Sequence, residues 1–103
     1  MKAAIASGKL KGKTVEREMI DAIDVMVFDL QDVGTRIYTY IYTMALAMKA
    51  AAKAKLPFYV LDRPNPIGGT QLEGNLVGKG FESFVGPHDL PTRHGMTMGE
   101  LAR

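Results

Sequence analysis

Two short apolar runs, each ending at an aspartate, most constrain the fold of this chain of 103 residues. The first run lies within residues 24–29, and the second, residues 58–61, ends at Asp62. Compact runs of this kind are typical of strands buried on both faces of a parallel sheet. Between them, apolar residues recur at helical spacing from about residue 36 to residue 55, and Pro57 ends the pattern. The order strand, helix, strand predicts a βαβ unit of an α/β protein.

The flanking segments carry weaker signals for three further elements. Residues 14–23 are expected to form a short helix capped by its threonine, and residues 84–85 are expected to begin a short strand. Thr97 and Glu100 make a capping box that predicts a helix beginning at Met98. The chain is therefore expected to be one partial domain, residues 1–103, whose parallel sheet and flanking helices are truncated at both ends.

Composition excludes several classes of protein. With 47% hydrophobic and 23% charged residues, the chain has the balance of a globular protein rather than a disordered one. A net charge of +2 without a basic stripe argues against nucleic acid as a partner. The absence of cysteine excludes disulfides and thiolate metal sites, and no apolar run is long enough for a membrane span or a secretory signal. We expect no metal and no organic cofactor.

Polar residues follow both predicted strands. Because the carboxyl ends of neighbouring parallel strands meet at one edge of a sheet, where open α/β sheets bind their ligands, these side chains are expected to converge. A purely structural role stays open, since Asp29 could cap a turn and Asp62 could pair with an arginine. The residues after the first strand are Asp29, Gln31, Asp32 and Arg36, and those after the second are Asp62, Arg63 and Asn65.

Further candidate residues lie outside the two strand ends. Two prolines flank Asn65 and restrict its backbone, so it is either a rigidly presented ligand or part of a stiff turn. Tyr38 is the tyrosine expected nearest the sheet edge, although aromatic rings more often belong to the core. Glu73 lies in a glycine-rich loop, and Arg93 with His94 precedes the last predicted helix, where His94 could bind an anion or serve as a structural hydrogen-bonding group.

Two motif interpretations are weak. Residues 8–14 are similar to a phosphate-binding loop, but they have three residues instead of four between the glycines and no convincing strand before them. Residues 28–31 are similar to the start of haloacid-dehalogenase-type phosphatases, in which a nucleophilic aspartate is followed two residues later by an acid. Here that second position is Gln31, which cannot transfer a proton. This phosphatase remains an alternative enzyme hypothesis.

Several longer motifs, in order and with compatible spacing, closely resemble those of the exo-β-N-acetylmuramidase family, which was long catalogued as a domain of unknown function. The likeness extends from about residue 20 to the end. The motifs are residues 25–40 (VMVFDLQDVGTRIYTY), 60–69 (VLDRPNPIGG), 72–74 (LEG), 84–86 (FVG), 93–97 (RHGMT) and 99–102 (GELA).

The resemblance implies a Rossmann-like catalytic domain that hydrolyses terminal β-linked N-acetylmuramic acid (MurNAc) from peptidoglycan fragments without a cofactor. Family members are longer at both ends, carry an upstream Glu-His-Gly motif expected to supply the acid, and are secreted, periplasmic or in some cases cytoplasmic. A segment without that motif is expected to be inactive alone, or to be a partner-completed half-domain. Asp29, Asp32, Asp62 and Glu73 are the candidate catalytic carboxylates, and the candidates for the lactyl carboxylate are Arg36, Arg63 and His94. Gln31, Tyr38, Asn65 and Arg93 complete the expected substrate-binding set.

Overall fold

The computed structural model describes residues 3–6, 20–84 and 86–103. A parallel sheet of three strands lies at its centre, in the order β1 (Ala3–Ala6), β2 (Val25–Phe28) and β3 (Phe58–Val60). Ala6 pairs with Phe28, which pairs with Val60, so the strands end together at one edge. The predicted α/β class and parallel pairing of β2 with β3 are thus confirmed.

Helix α1 (Tyr40–Ala54) connects β2 to β3 and completes the predicted βαβ unit. It begins four residues later than the sequence pattern indicates. The reason is a contact that hydropathy does not encode: the backbone of Thr35 forms a bridge with Arg93, and the Arg36 amide donates to the Thr92 carbonyl at 2.8 Å. These bonds to a distant segment hold the residues before Tyr40 outside the helix.

The core lies between α1 and the sheet. Its larger cluster contains Phe28, Tyr42, Met44 and Met98, and a smaller cluster surrounds Met26. Burial of Phe28 from β2 and Met98 from the last helix in one cluster fixes that helix against the strand end. This packing positions the loops that leave β2 and β3.

Helix α2 (Met98–Leu101) begins at the predicted capping box. Thr97 Oγ1 accepts from the Glu100 amide at 3.2 Å, and Glu100 Oε2 accepts from the Thr97 amide at 2.9 Å. The box satisfies two of the amides that a helix N-terminus leaves without partners. No helix in the described part of the chain is long and apolar enough to cross a membrane.

Three predictions outside the βαβ unit have different outcomes. Phe84 lies in a turn closed by mutual backbone hydrogen bonds between Ser83 and Gly86, so the predicted strand is wrong at Phe84, and Val85 lies outside the described residues. A strand does precede residues 8–14, because β1 ends at Ala6, which corrects one of the two arguments against a phosphate-binding loop. The glycine spacing still argues against that loop. The predicted helix at residues 14–23 lies outside the described residues except at its end, where Ile20 is helical.

Candidate functional site

Asp29 and Asp62 lie at the same edge of the sheet, where β2 and β3 end. Arg63 joins them: its guanidinium Nη2 forms an ion pair with Asp29 Oδ1, and its backbone amide donates to Asp62 Oδ1 at 3.1 Å. The side chains of Arg63 and Asp29 are 46% and 35% exposed. We call Asp29, Asp62 and Arg63 the rim cluster. It is an open, charged patch that a polar ligand can reach.

Asp62 is bound to the N-terminus of α2 as well as to Arg63. Its carboxylate accepts from the Thr97 hydroxyl and from the Gly99 amide, both at 2.8 Å. The hydrogen bond from Gly99, followed by that from Thr97, holds the pKa of Asp62 below its ordinary value. A Cβ at Gly99 would lie 2.6 Å from Asp62 Oδ2, so glycine is required for this approach. Asp62 therefore ties β3 to α2 in its ionised form.

The lowered pKa of Asp62 leads to a testable prediction of how stability depends on pH. A carboxylate whose pKa is lower in the folded state stabilises the protein at pH values above its unfolded pKa, near 3.8. This stabilisation is lost as the pH falls through the folded-state pKa. We expect Asp62→Asn to unfold at a lower temperature than wild type at pH 7. The difference in melting temperature between the two proteins is expected to be smaller at pH 3. Thermal unfolding at several pH values measures it, with exposed Asp89→Asn as the control. A difference in melting temperature that does not change with pH would contradict the prediction.

Asp32 and His94 form a buried pair. Their side chains are 3% and 1% exposed, and His94 Nε2 lies 3.6 Å from Asp32 Oδ2. The Gly34 amide donates to the same oxygen at 3.1 Å, and the Met96 amide donates to His94 Nδ1 at 3.1 Å. Because Nδ1 is an acceptor, the neutral imidazole carries its proton on Nε2, facing Asp32.

Burial raises the pKa of Asp32, and the Gly34 amide and His94 only partly oppose that effect. Asp32 Oδ1 and His94 Nε2 are buried and have no hydrogen-bond partner among the described residues. Neither Asp32 nor His94 is accessible to a substrate in this structure. The pair connects the loop after β2 with the segment before α2.

Asn65 uses both ends of its amide to hold neighbouring loops. Nδ2 donates to the Met96 carbonyl at 2.9 Å, and Oδ1 accepts from the Ile67 amide at 3.0 Å. Gly34 packs directly against this turn, with a φ of 89° and no room for a side chain. The prolines around Asn65 thus flank a tightly bonded turn, in which the amide nitrogen and the amide oxygen of Asn65 each already have a backbone partner.

Arg36 and Arg93 hold the long loop after β3. Arg36 Nη1 donates to the carbonyls of Asn75 and Leu90 at 2.8 and 2.7 Å. Arg93 Nη1 forms an ion pair with Glu73 Oε2 at 2.8 Å, and its backbone pairs with that of Glu73. Both arginines therefore contact the protein's own backbone or side chains.

Gln31 and Tyr38 lie on the loop between β2 and α1. Gln31 Nε2 donates to the Asp32 carbonyl at 2.8 Å. The ring of Tyr38 contacts that of Tyr40 edge to face, with centroids 4.8 Å apart. A hydrogen bond with Tyr40 raises the pKa of Tyr38, whose side chain is exposed. Tyr38 is thus an exposed side chain on this loop and packs against Tyr40.

The structure separates the sequence-derived candidates into four groups. Asp29, Asp62 and Arg63 meet at the rim; Asp32, His94 and Asn65 tie the loops after β2 and β3 to the segment before α2; Arg36, Arg93 and Glu73 hold the long loop; and Gln31 and Tyr38 lie on the loop between β2 and α1. Sequence reasoning did not identify Thr97 and Gly99 as partners of Asp62, although the capping box indicated that a helix N-terminus was nearby. Within the described residues, no cluster of three histidine or acidic side chains could hold a metal ion.

The fold and the site define an α/β protein with carboxylates and an arginine at the carboxyl edge of a parallel sheet. Residues 5–103 match the model of a family described as exo-β-N-acetylmuramidase NamZ, N-terminal. Because this match covers nearly the whole chain, the chain belongs to that family.

The relatives agree with the family match. The chain is 52% identical to the peptidoglycan β-N-acetylmuramidase NamZ of Bacillus subtilis (strain 168), over 98% of this chain and 25% of that protein. Two crystal structures of DUF1343 family proteins from Bacteroides fragilis NCTC 9343 are also similar. One is 55% identical with a TM-score of 0.76, covering 82% of this chain and 22% of that one. The other is 37% identical with a TM-score of 0.80, covering 86% and 25%. The chain thus spans about a quarter of the length of these relatives.

Proposed function

We propose that this segment is part of a glycoside hydrolase that releases terminal β-linked MurNAc from peptidoglycan fragments. The observation that carries the proposal is the 52% identity, over 98% of the chain, to a protein named peptidoglycan β-N-acetylmuramidase. The rim cluster supports it, because glycosidic bond cleavage needs carboxyl groups around the reacting carbon. The substrate class that follows is peptidoglycan-derived saccharides containing muramic acid.

We further propose that residues 1–103 are one part of a Rossmann-like catalytic domain that needs the remainder of the full-length protein. Three parallel strands with a helical crossover, and polar residues where the strands end, support this assignment. Exposed apolar side chains also support it. Ile37, Leu72 and Phe81 are 65%, 69% and 82% exposed, as expected for surfaces that further parts of a larger domain cover.

The four candidate carboxylates are suited to different tasks. Asp29 is accessible and ion-paired, so it can supply negative charge beside the oxocarbenium-like centre. Asp62 is ionised and occupied by three hydrogen bonds, which suits it to positioning the rim. Asp32 has a raised pKa but is buried, and Glu73 is ion-paired with Arg93 in the long loop. We therefore propose that the proton donor is the glutamate of the Glu-His-Gly motif expected upstream, outside this segment.

The candidate substrate-binding residues include some that can contact a substrate and some that hold loops. Tyr38 and Arg63 are exposed and can contact a sugar directly. Gln31, Asn65 and His94 bind the backbone of the loops that shape the rim. We propose that these three act by holding the loops in place. The phosphatase alternative is not favoured, because Gln31 donates to a backbone carbonyl where that chemistry needs an acid.

Incubating the full-length protein with the disaccharide MurNAc-GlcNAc tests the proposed function. We expect free MurNAc to accumulate, detected by mass spectrometry, with no release from GlcNAc-MurNAc, in which the order of the sugars is reversed. The isolated residues 1–103 are expected to release none, because the proposed acid is missing. Cleavage of a phosphate monoester without release of MurNAc would contradict the proposal and favour a phosphatase.

A further inference from the structure

MurNAc differs from N-acetylglucosamine by a lactyl group that carries a carboxylate, so a cation at the rim would favour MurNAc. The sequence-derived candidates for this cation are Arg36, Arg63 and His94, and Arg93 is a fourth basic side chain of the expected substrate-binding set. Arginine suits this task because its planar fork of donors matches a carboxylate. The surroundings of the four side chains differ enough to separate them.

Three of the four candidates already have other partners or are inaccessible. His94 is almost fully buried, and its Nδ1 accepts a hydrogen bond from the Met96 amide, so it is out of reach of a ligand. Arg36 holds the carbonyls of Asn75 and Leu90 together. Arg93 is paired with Glu73, and its Nε is buried without a partner, out of reach of a ligand.

Arg63 differs from these in exposure, position and free donors. It follows β3 directly, and its side chain is 46% exposed, against 25% for Arg93. A guanidinium has five N–H donors, of which the ion pair with Asp29 uses one nitrogen. Among the described residues, Arg63 Nε and Nη1 have no hydrogen-bond partner. An exposed ion pair of this kind is weak, so Asp29 does not prevent a second carboxylate from binding.

We propose that Arg63 is the residue that binds the lactyl carboxylate and so selects muramic acid over glucosamine. This inference rests on the proposed function and assigns one step of recognition to one side chain. Asp62 fixes the backbone of Arg63 through its amide, and Asp29 orients the guanidinium. The Asp62 carboxylate is satisfied by Thr97 and Gly99, which reduces its competition for the Arg63 guanidinium.

Two chromogenic substrates test this role in the full-length enzyme: 4-nitrophenyl β-N-acetylmuramide and the methyl ester of its lactyl group. Wild type is expected to prefer the acid. Arg63→Gln is expected to lower kcat/KM on the acid on the order of 10- to 100-fold, the range for a lost charge-assisted hydrogen bond. Its kcat/KM on the ester, which lacks the lactyl carboxylate, is expected to fall less, so the ratio of kcat/KM on the acid to that on the ester is the readout of the carboxylate contact. The preference for the acid would then disappear.

Arg63→Lys and Lys53→Gln complete the design. The lysine keeps the charge but loses the fork, so it is expected to retain part of the preference for the acid. Lys53 is an exposed residue of α1, and its loss controls for the change in net charge. Equal losses on acid and ester in both Arg63 variants, or no loss in either, would overturn the inference. A wild-type enzyme that cleaves neither substrate would instead contradict the proposed function.

Discussion

Replacing Gly34 with alanine is expected to lower the free energy of unfolding by about 2 to 4 kcal/mol. Gly34 has a φ of 89°, which L side chains rarely adopt. A Cβ there would lie 2.4 Å from Asn65 Oδ1 and 2.5 Å from Ile67 Cγ1. The new methyl group would separate the loop after β2 from the turn after β3.

Gly68→Ala is the matched control for this prediction. Gly68 has a φ of 86° and follows Ile67 directly, but no heavy atom beyond its chain neighbours lies within 4 Å of the position that a Cβ would take. Only the backbone strain remains, so we expect a loss of about 1 kcal/mol. Urea unfolding of both variants measures the difference. Equal losses would contradict the close packing of the two loops.

Asp32→Ala is expected to lower the free energy of unfolding by about 2 to 4 kcal/mol, because it leaves the buried Gly34 amide without an acceptor and creates a cavity. His94 would also lose the carboxylate that lies 3.6 Å from its Nε2. Asp32→Asn keeps an acceptor for Gly34 at nearly the same volume, and we expect a loss at pH 7 of less than about 1 kcal/mol. Chemical denaturation of the two variants compares these losses.

The pH dependence of Asp32→Asn should run opposite to that of Asp62→Asn. The pKa of Asp32 is raised in the folded state, so the folded protein binds the proton more tightly. The contribution of Asp32 to stability is therefore complete at pH values below its unfolded pKa of 3.8, and it declines as the pH rises through the folded-state pKa. The advantage of wild type over Asp32→Asn should grow from pH 7 to pH 3. An advantage that shrinks in that range would contradict the assigned burial.

The sequence predicted the parts of the fold that depend on local patterns. Two apolar runs and a helical period were enough to place β2, α1 and β3, and their polar ends correctly indicated that Asp29 and Asp62 meet at one edge. β1 was missed because three of its four residues are alanine, which has a low intrinsic preference for strands. Its pairing with β2 is what makes it a strand.

The contacts that shape the site could not be read from local patterns, because they join distant residues. Asp62 binds Gly99 across 37 positions, and Arg36 binds Leu90 across 54. The bond to Leu90 gives Arg36 a role in holding the long loop. That role cannot be predicted from the presence of an arginine after a strand. The same holds for His94, whose burial against Asp32 depends on how the final loop packs.

A crystal structure of the full-length protein with bound MurNAc would show whether the rim cluster holds the sugar, on which the proposed roles of Asp29, Asp62 and Arg63 all depend. We expect the pyranose to lie over the edge formed by Asp29 and Asp62, with the lactyl carboxylate within about 3 Å of the Arg63 guanidinium. MurNAc bound at another surface, with Arg63 still occupied only by Asp29, would contradict this assignment.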